Sequence, residues 1–95
     1  MNIPDKYKHD LDLATSLLKS EGCESVFLFG SLVTGKVHDN SDLDLGITGL
    51  PPSKFFRVYS RLYLKLERPF DLVDFDSQKE FYNLLIDLGE VIKIG

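Results

Sequence analysis

Tryptophan is absent from this 95-residue chain, cysteine and methionine occur once each, and Lys and Arg (11) are outnumbered by Asp and Glu (15). With Cys23 as its one thiol, the chain has neither a disulfide framework nor a thiolate metal cluster, and Cys23 is expected to be inert. A net charge of −4 and a pI of about 5.0 are unsuited to gripping nucleic-acid phosphates non-specifically, so nucleic acid is not an expected partner. No apolar run approaches the roughly 18 residues of a membrane span, and the start, MNIPDKYKHD, is polar and charged. No membrane partner is expected, and the cytoplasm is the expected location. Repeats, linkers and low-complexity stretches are also missing.

What is present is an ordinary globular composition, 43% hydrophobic and 27% charged, which argues against disorder. A chain this short supports one core, so residues 1–95 are expected to form one domain without room for a separate acceptor-binding domain. Residues 5–20 have helical spacing, with Tyr7, Leu11, Ala14 and Leu18 on one stripe and Gly22 as a stop. Ser25 to Phe29 is a short apolar strand, and 31–37 can hold a short helix or turn. Leu43 to Ile47 reads as a second strand, closed by Gly49-Leu50-Pro51-Pro52. Ser53 to Glu67 is strongly helical, with an expected core stripe of Phe55, Tyr59, Leu62 and Leu66 widened by Phe56 and Tyr63; Pro69 stops it. Phe70 to Phe75 alternates as a third strand. Ser77-Gln78-Lys79-Glu80 reads as a capping box for a helix over 78–87, which Gly89 ends, and 91–94 adds a short strand. The expected fold is α/β, a small mixed sheet with helices packed largely on one face.

The chemistry is concentrated in VFLFGSLVTGKVHDNSDLDLGI, residues 26–47. Gly30 lies where a strand gives way to a turn, and a residue without Cβ lets a phosphate approach the backbone there. Ser31 adds a hydroxyl donor, the start of a following helix would favour an anion, and Gly35 lets the chain turn back. Ser41-Asp42-Leu43-Asp44-Leu45 follows. Residues two apart in a strand share a face about 6.5–7 Å apart, a spacing that suits two carboxylates serving one magnesium centre. One ion or a pair would fit, and a pair would lie about 3.5–4 Å apart. Each signal alone is weak. Seven positions, Gly30, Ser31, Gly35, Ser41, Asp42, Asp44 and Leu45, fit one pattern, and with background usage of roughly 5–10% each a chance match is on the order of one in 10⁸.

These residues, Gly30-Ser31-x-x-x-Gly35 and Ser41-Asp42-x-Asp44-Leu45, resemble the signature of the DNA polymerase beta-like nucleotidyltransferases. The short length resembles the minimal nucleotidyltransferase (MNT) branch. The resemblance implies a nucleotidyltransferase fold, with ATP as nucleotide donor and Mg²⁺ held by Asp42, Asp44 and a third acid on a neighbouring strand. Phe70-Asp71-Leu72-Val73 fits that third acid best, with Asp74 and Asp76 as competitors on the opposite face of a regular strand. By the same resemblance Asp42, Asp44 and Asp71 are the catalytic acids, while Gly30, Ser31, Gly35 and Ser41 hold the nucleotide. Asp71 would complete the metal site or help deprotonate an acceptor hydroxyl.

The resemblance further implies an antitoxin that adenylylates a tyrosine hydroxyl of a partner HEPN-domain ribonuclease toxin. The alternatives are an antitoxin that acts by binding alone, and transfer to a small molecule or an RNA. Lys54, Arg57, Arg61, Lys65 and Arg68 form a basic stripe along one helix, read either as a solvated face or as a docking strip for an acidic surface or RNA. Phe55, Phe56, Tyr59, Tyr63, Phe81 and Tyr82 are expected in the core. Lys36 could touch a phosphate, and His38 lies in the same loop.

Overall fold

The computed structural model describes residues 3–36 and 42–95. Four helices and four strands follow in the order α1 (Asp5–Ser20), β1 (Ser25–Phe29), α2 (Ser31–Thr34), β2 (Leu43–Thr48), α3 (Phe55–Lys65), β3 (Phe70–Asp74), α4 (Lys79–Leu88) and β4 (Val91–Lys93), with a 3₁₀ turn at Pro52–Lys54 leading into α3. The strands form one mixed sheet in the order β3-β2-β1-β4. β1 runs antiparallel to both β2 and β4, whereas β2 and β3 are parallel. The crossover connection that parallel strands need is supplied here by the segment carrying α3.

Strand alternation divides the interior into two layers. Val26, Leu28, Leu43, Leu45, Ile47 and Leu72 face the larger core, where they meet Tyr7, Leu11, Ala14 and Leu18 of α1, Leu32 of α2, and Val58 and Leu62 of α3. On the opposite face Phe27, Phe29 and Phe75 pack with Leu85 of α4, joined by Phe81 and Tyr82. Three helices thus cover one face and α4 the other. Gly46 faces the aromatic layer: a Cβ there would overlap the Phe75 ring, so the missing side chain lets the ring pack directly on the β2 backbone.

Two buried carboxylates tie α1 to its neighbours. Asp10, on the apolar stripe of α1, accepts hydrogen bonds from the backbone amides of Glu67 (3.1 Å) and Arg68 (2.9 Å), holding the turn between α3 and β3. The Arg68 guanidinium lies 4.7 Å from the centre of the Tyr7 ring. Glu21, just beyond α1, accepts from Arg61 at 2.7 Å and Arg57 at 3.2 Å, and pairs with Lys54 at 3.3 Å.

Two expectations are corrected. The core stripe of α3 is rotated: Val58 and Leu62 are buried, while Phe56 and Tyr63 stand in solvent and Tyr59 is exposed at the edge. The core-facing line runs from half-buried Phe55 through buried Val58 and Leu62 to half-buried Leu66, at helical spacing of three and four. The capping box at the start of α4 does not form. Gln78 is the N-cap with no side-chain hydrogen bond, and the Ser77 hydroxyl instead donates to the Asp74 carbonyl.

Candidate active site

β1 delivers its last residue, Phe29, opposite Asp44, and β2 delivers Asp44 beside Asp71 of β3. Cross-strand partners point to the same side of a sheet, so Phe29, Asp44 and Asp71 share the face that carries α4. Asp42 immediately precedes β2 and is exposed. Its charge still reaches the site: the Asp44 carboxyl is pushed up to about 6, first by burial, then by the negative charges of Asp71 and Asp42. The three acids singled out from the sequence are therefore coupled through Asp44.

Gly30 adopts φ 79° and ψ −149°, a region that is essentially glycine-only. A Cβ on it would overlap Asp44 Oδ2 and lie 2.9 Å from Asp44 Cγ. The absent side chain is what allows the backbone to lie against the carboxylate. Ser31 opens α2, whose first amides have no partners within the helix, and the Gly30 carbonyl accepts from the Val33 and Thr34 amides. Gly35 ends α2 in the left-handed conformation with open space where a Cβ would be, so its role is the turn alone. Lys36 is exposed at the end of this turn. Ser41 and His38 lie outside the described residues.

Asp74 and Asp76 are engaged elsewhere. Asp74 Oδ1 accepts from the Asp76 amide at 3.0 Å, and Asp76 Oδ2 accepts from the Gly49 amide at 2.7 Å, so the pair closes the turn after β3 and ties it to the end of β2. Asp74 is the register partner of Ile47 and faces the larger core. Asp71 Oδ1 accepts from the amide of Leu72, leaving Oδ2 for other contacts. The residue that reading by pattern passed over is Phe29. It is the register partner of Asp44, and its ring, 5.5 Å from Phe81 and 5.7 Å from Phe75, belongs to the aromatic layer on the same face. The signal for it was its place as the last apolar residue before Gly30. Cys23 is buried, and burial pushes its thiol up, as an inert side chain requires.

Among the described residues no three acidic, histidine or cysteine side chains converge into a ready-made metal cage. The donor chemistry nonetheless fits a hard divalent cation. The donors are all carboxylate oxygens, and the central one is held in a field of like charge that a cation would relieve. Magnesium in particular binds through one or two carboxylates and completes its shell with substrate phosphates and water.

A strand leading into Gly-Ser, followed by paired acids on a mixed sheet with α-helical cover, fits the nucleotidyltransferase signature that the sequence resembles. The profile of the family described as polymerase beta, nucleotidyltransferase, matches residues 12–93, and the chain belongs to that family. No curated protein matches it. Among solved structures, a toxin–antitoxin crystallised with AMP-PNP is similar at 27% identity and a TM-score of 0.56 over 73% of this chain and 57% of that one. A mutant of the MntA–HpeT toxin–antitoxin, with two aspartates two positions apart changed to glutamate, is similar at 25% identity and a TM-score of 0.55, covering 72% of this chain and 58% of its own. A proposed nucleotidyltransferase from Sulfolobus solfataricus shares the fold, with a TM-score of 0.50, 20% identity and coverage of 76% and 73%. The chain thus spans less than two thirds of the two toxin–antitoxin chains it resembles.

Proposed function

We propose that this chain is a magnesium-dependent minimal nucleotidyltransferase that moves AMP from ATP to a hydroxyl, most specifically a tyrosine of a partner HEPN-domain toxin, and so acts as its antitoxin in the cytoplasm. The observation that carries the reading is the register pair Asp44 and Asp71, with Gly30 packed directly on Asp44. Two neighbouring carboxylates with a glycine backbone pressed against one of them destabilise an isolated fold, and they become useful when a cation and a phosphate arrive together. The likeness to a toxin–antitoxin holding AMP-PNP, and to one whose paired aspartates were mutated at the same two-residue spacing, supports nucleotide use and a toxin as partner.

In this reading Asp42, Asp44 and Asp71 hold the magnesium, whose charge, when bound, offsets that of the triphosphate. Gly30, Ser31 and Gly35 form the nucleotide-binding turn, with the Ser31 hydroxyl and the first amides of α2 donating to phosphate oxygens, and Ser41 is the fourth residue assigned to the nucleotide by the signature. Asp71, on the edge strand, faces the incoming hydroxyl. The acceptor hydroxyl gives its proton to Asp71 or to water as its oxygen bonds to the α-phosphorus, the bond from that phosphorus to the α–β bridging oxygen breaks, and diphosphate leaves. The chain's contribution is alignment and electrostatic preorganisation.

The test is to identify a HEPN-domain protein that copurifies with the chain, incubate the two with ATP and magnesium, and weigh both proteins intact. AMP-sized additions on the toxin should appear, and should vanish with Asp42→Asn/Asp44→Asn. A toxin that is neutralised without gaining mass would replace this reading with an antitoxin acting by binding alone.

A further inference from the structure

The outer face of α3 carries a stripe the core does not use. Phe56, Tyr63 and Leu64 are 80%, 71% and 81% exposed, and Tyr59 borders them with its ring 4.9 Å from that of Phe70. Phe56 and Tyr63 stand two turns apart on one line of the helix, with Leu64 beside them. Single exposed apolar residues are common, whereas several large ones along one helix mark a contact surface. The stripe runs into a groove of about 520 Å³ lined by Tyr59, Tyr63, Arg68 and Phe70. Phe70 opens β3, one residue before Asp71, so this surface borders the edge of the sheet that bears the candidate site.

Its other flank is cationic and pinned. Glu21, whose side chain is only 6% exposed, holds Lys54, Arg57 and Arg61, and three cations on one anion leave a local charge of +2 (3 − 1). The side chains of Arg57 and Arg61 remain 68% and 44% exposed, and Lys65 extends the flank by one more turn. Arginines already fixed by a buried carboxylate lose little rotamer freedom when a partner engages them. In a chain of net charge −4 this is a local reversal of sign.

We infer that this face of α3 docks a separate protein whose contact surface is apolar at its centre and ringed by carboxylates. The inference rests on the toxin-partner reading above and assigns that partner its seat. Charge separates it from a second copy of this chain. Pairing α3 with α3 would set the cationic flanks against each other or leave them uncompensated, while an acidic ring satisfies them. A partner seated there reaches past Phe70 to the Asp71 edge, where an acceptor hydroxyl must arrive.

The chain, its Phe56→Ser/Leu64→Ser, Lys65→Glu and Asp42→Asn/Asp44→Asn variants, and the copurifying HEPN-domain toxin would be examined by light scattering, calorimetric binding and transfer kinetics. Phe56→Ser/Leu64→Ser should keep the wild-type melting temperature, since both side chains are exposed, yet bind the toxin at least about tenfold more weakly. Lys65→Glu, which leaves the Glu21 cluster intact, should weaken binding and flatten its salt dependence. Asp42→Asn/Asp44→Asn should bind as wild type does. Unchanged binding by both α3 variants overturns the inference, as does the absence of any wild-type complex, or a homodimer that Phe56→Ser/Leu64→Ser disperses. Binding through α3 without AMP transfer would sink the catalytic reading and leave this one standing. Transfer with an unaltered acceptor KM in the α3 variants would do the reverse.

Discussion

Gly30 lies so close to Asp44 that a Cβ on the glycine would overlap the carboxylate oxygen Oδ2. Asp44 lies in β2 and Gly30 is the first residue after β1, whose last residue, Phe29, is the register partner of Asp44, so the contact follows from the sheet register one residue before the turn. Rigid elements on both sides make it a precise place for a charged group. The turn and the acid are one device: the strand break at Gly30 exists where the carboxylate needs space.

Gly30→Ala should therefore damage the site more than the fold. The backbone conformation and the overlap together should cost about 1–3 kcal/mol of stability, read by urea unfolding. Nucleotidyl transfer should fall by roughly 100-fold, because Asp44 must move by a large fraction of an ångström or more. Gly89→Asn is the control: this glycine ends α4 in the left-handed conformation with open space, lies outside the nucleotide-binding turn, and asparagine tolerates it, so transfer should stay within about threefold of wild type. Equal loss in both variants would show that Gly30 acts only as a turn.

Asp44→Asn should trade activity for stability. The Asp44 carboxyl is raised from 3.8 to about 6 by burial, Asp71 and Asp42. A raised acid favours the folded state below its unfolded value, and that contribution is lost as pH rises through about 4 to 6. Asparagine has the same shape without the charge. In metal-free buffer the variant should melt above wild type at pH 8, with the gap closing at pH 4, while transfer disappears. Magnesium should raise the wild-type melting temperature at pH 8 and leave the variant nearly unmoved. A variant less stable than wild type at pH 8 would mean that the Asp44 charge has a structural partner.

The third acid was separable from its rivals by strand alternation, and side-chain contacts now distinguish them further. Asp71→Asn should abolish transfer with little effect on stability, since its carboxylate lies exposed on the edge strand. Asp74→Ala should retain most transfer and lose about 1 kcal/mol, because its Oδ1 accepts the Asp76 amide in the turn after β3. Mass spectrometry of the product and urea titration of each variant decide the matter. Loss of transfer from Asp74→Ala comparable to that from Asp71→Asn would remove the distinction.

How far the sequence could be read follows from which interactions are local. β1 was legible to the residue, Ser25 to Phe29, since a short apolar run ended by Gly-Ser is a local pattern. The acids were legible because their spacing is itself the signal. The rotation of α3 was not. Phe56 and Tyr63 look like core to any count of apolar residues, and only the position of the sheet shows that Val58 takes the buried place. Burial of Asp10 and Glu21 was illegible for the same reason: an acid on a helix reads as solvated, and the partners that pay for its burial lie more than 30 residues away.

Glu21 is where that illegible part can be measured. Hydrogen bonds from Arg61, then Arg57, outweigh burial and hold its carboxyl down from 4.5 to about 2. A depressed acid stabilises the fold above its unfolded value, and the contribution fades as pH falls through about 4.5 to 2. Wild type should therefore lose stability across that window, and Glu21→Gln should show a shallower slope there while being less stable than wild type at pH 7. The loss at pH 7 has two sources. The neutral amide leaves Lys54, Arg57 and Arg61 crowded together without their anion, and α1 loses its tie to α3. High salt should recover part of the first and none of the second, because screening acts on the repulsion between exposed cations and not on a missing buried acceptor. Chemical unfolding of both proteins from pH 2 to 7, at low salt and at 1 M salt, separates the two. Parallel pH curves for wild type and Glu21→Gln would mean that the cluster forms no tighter in the folded chain than in the unfolded one.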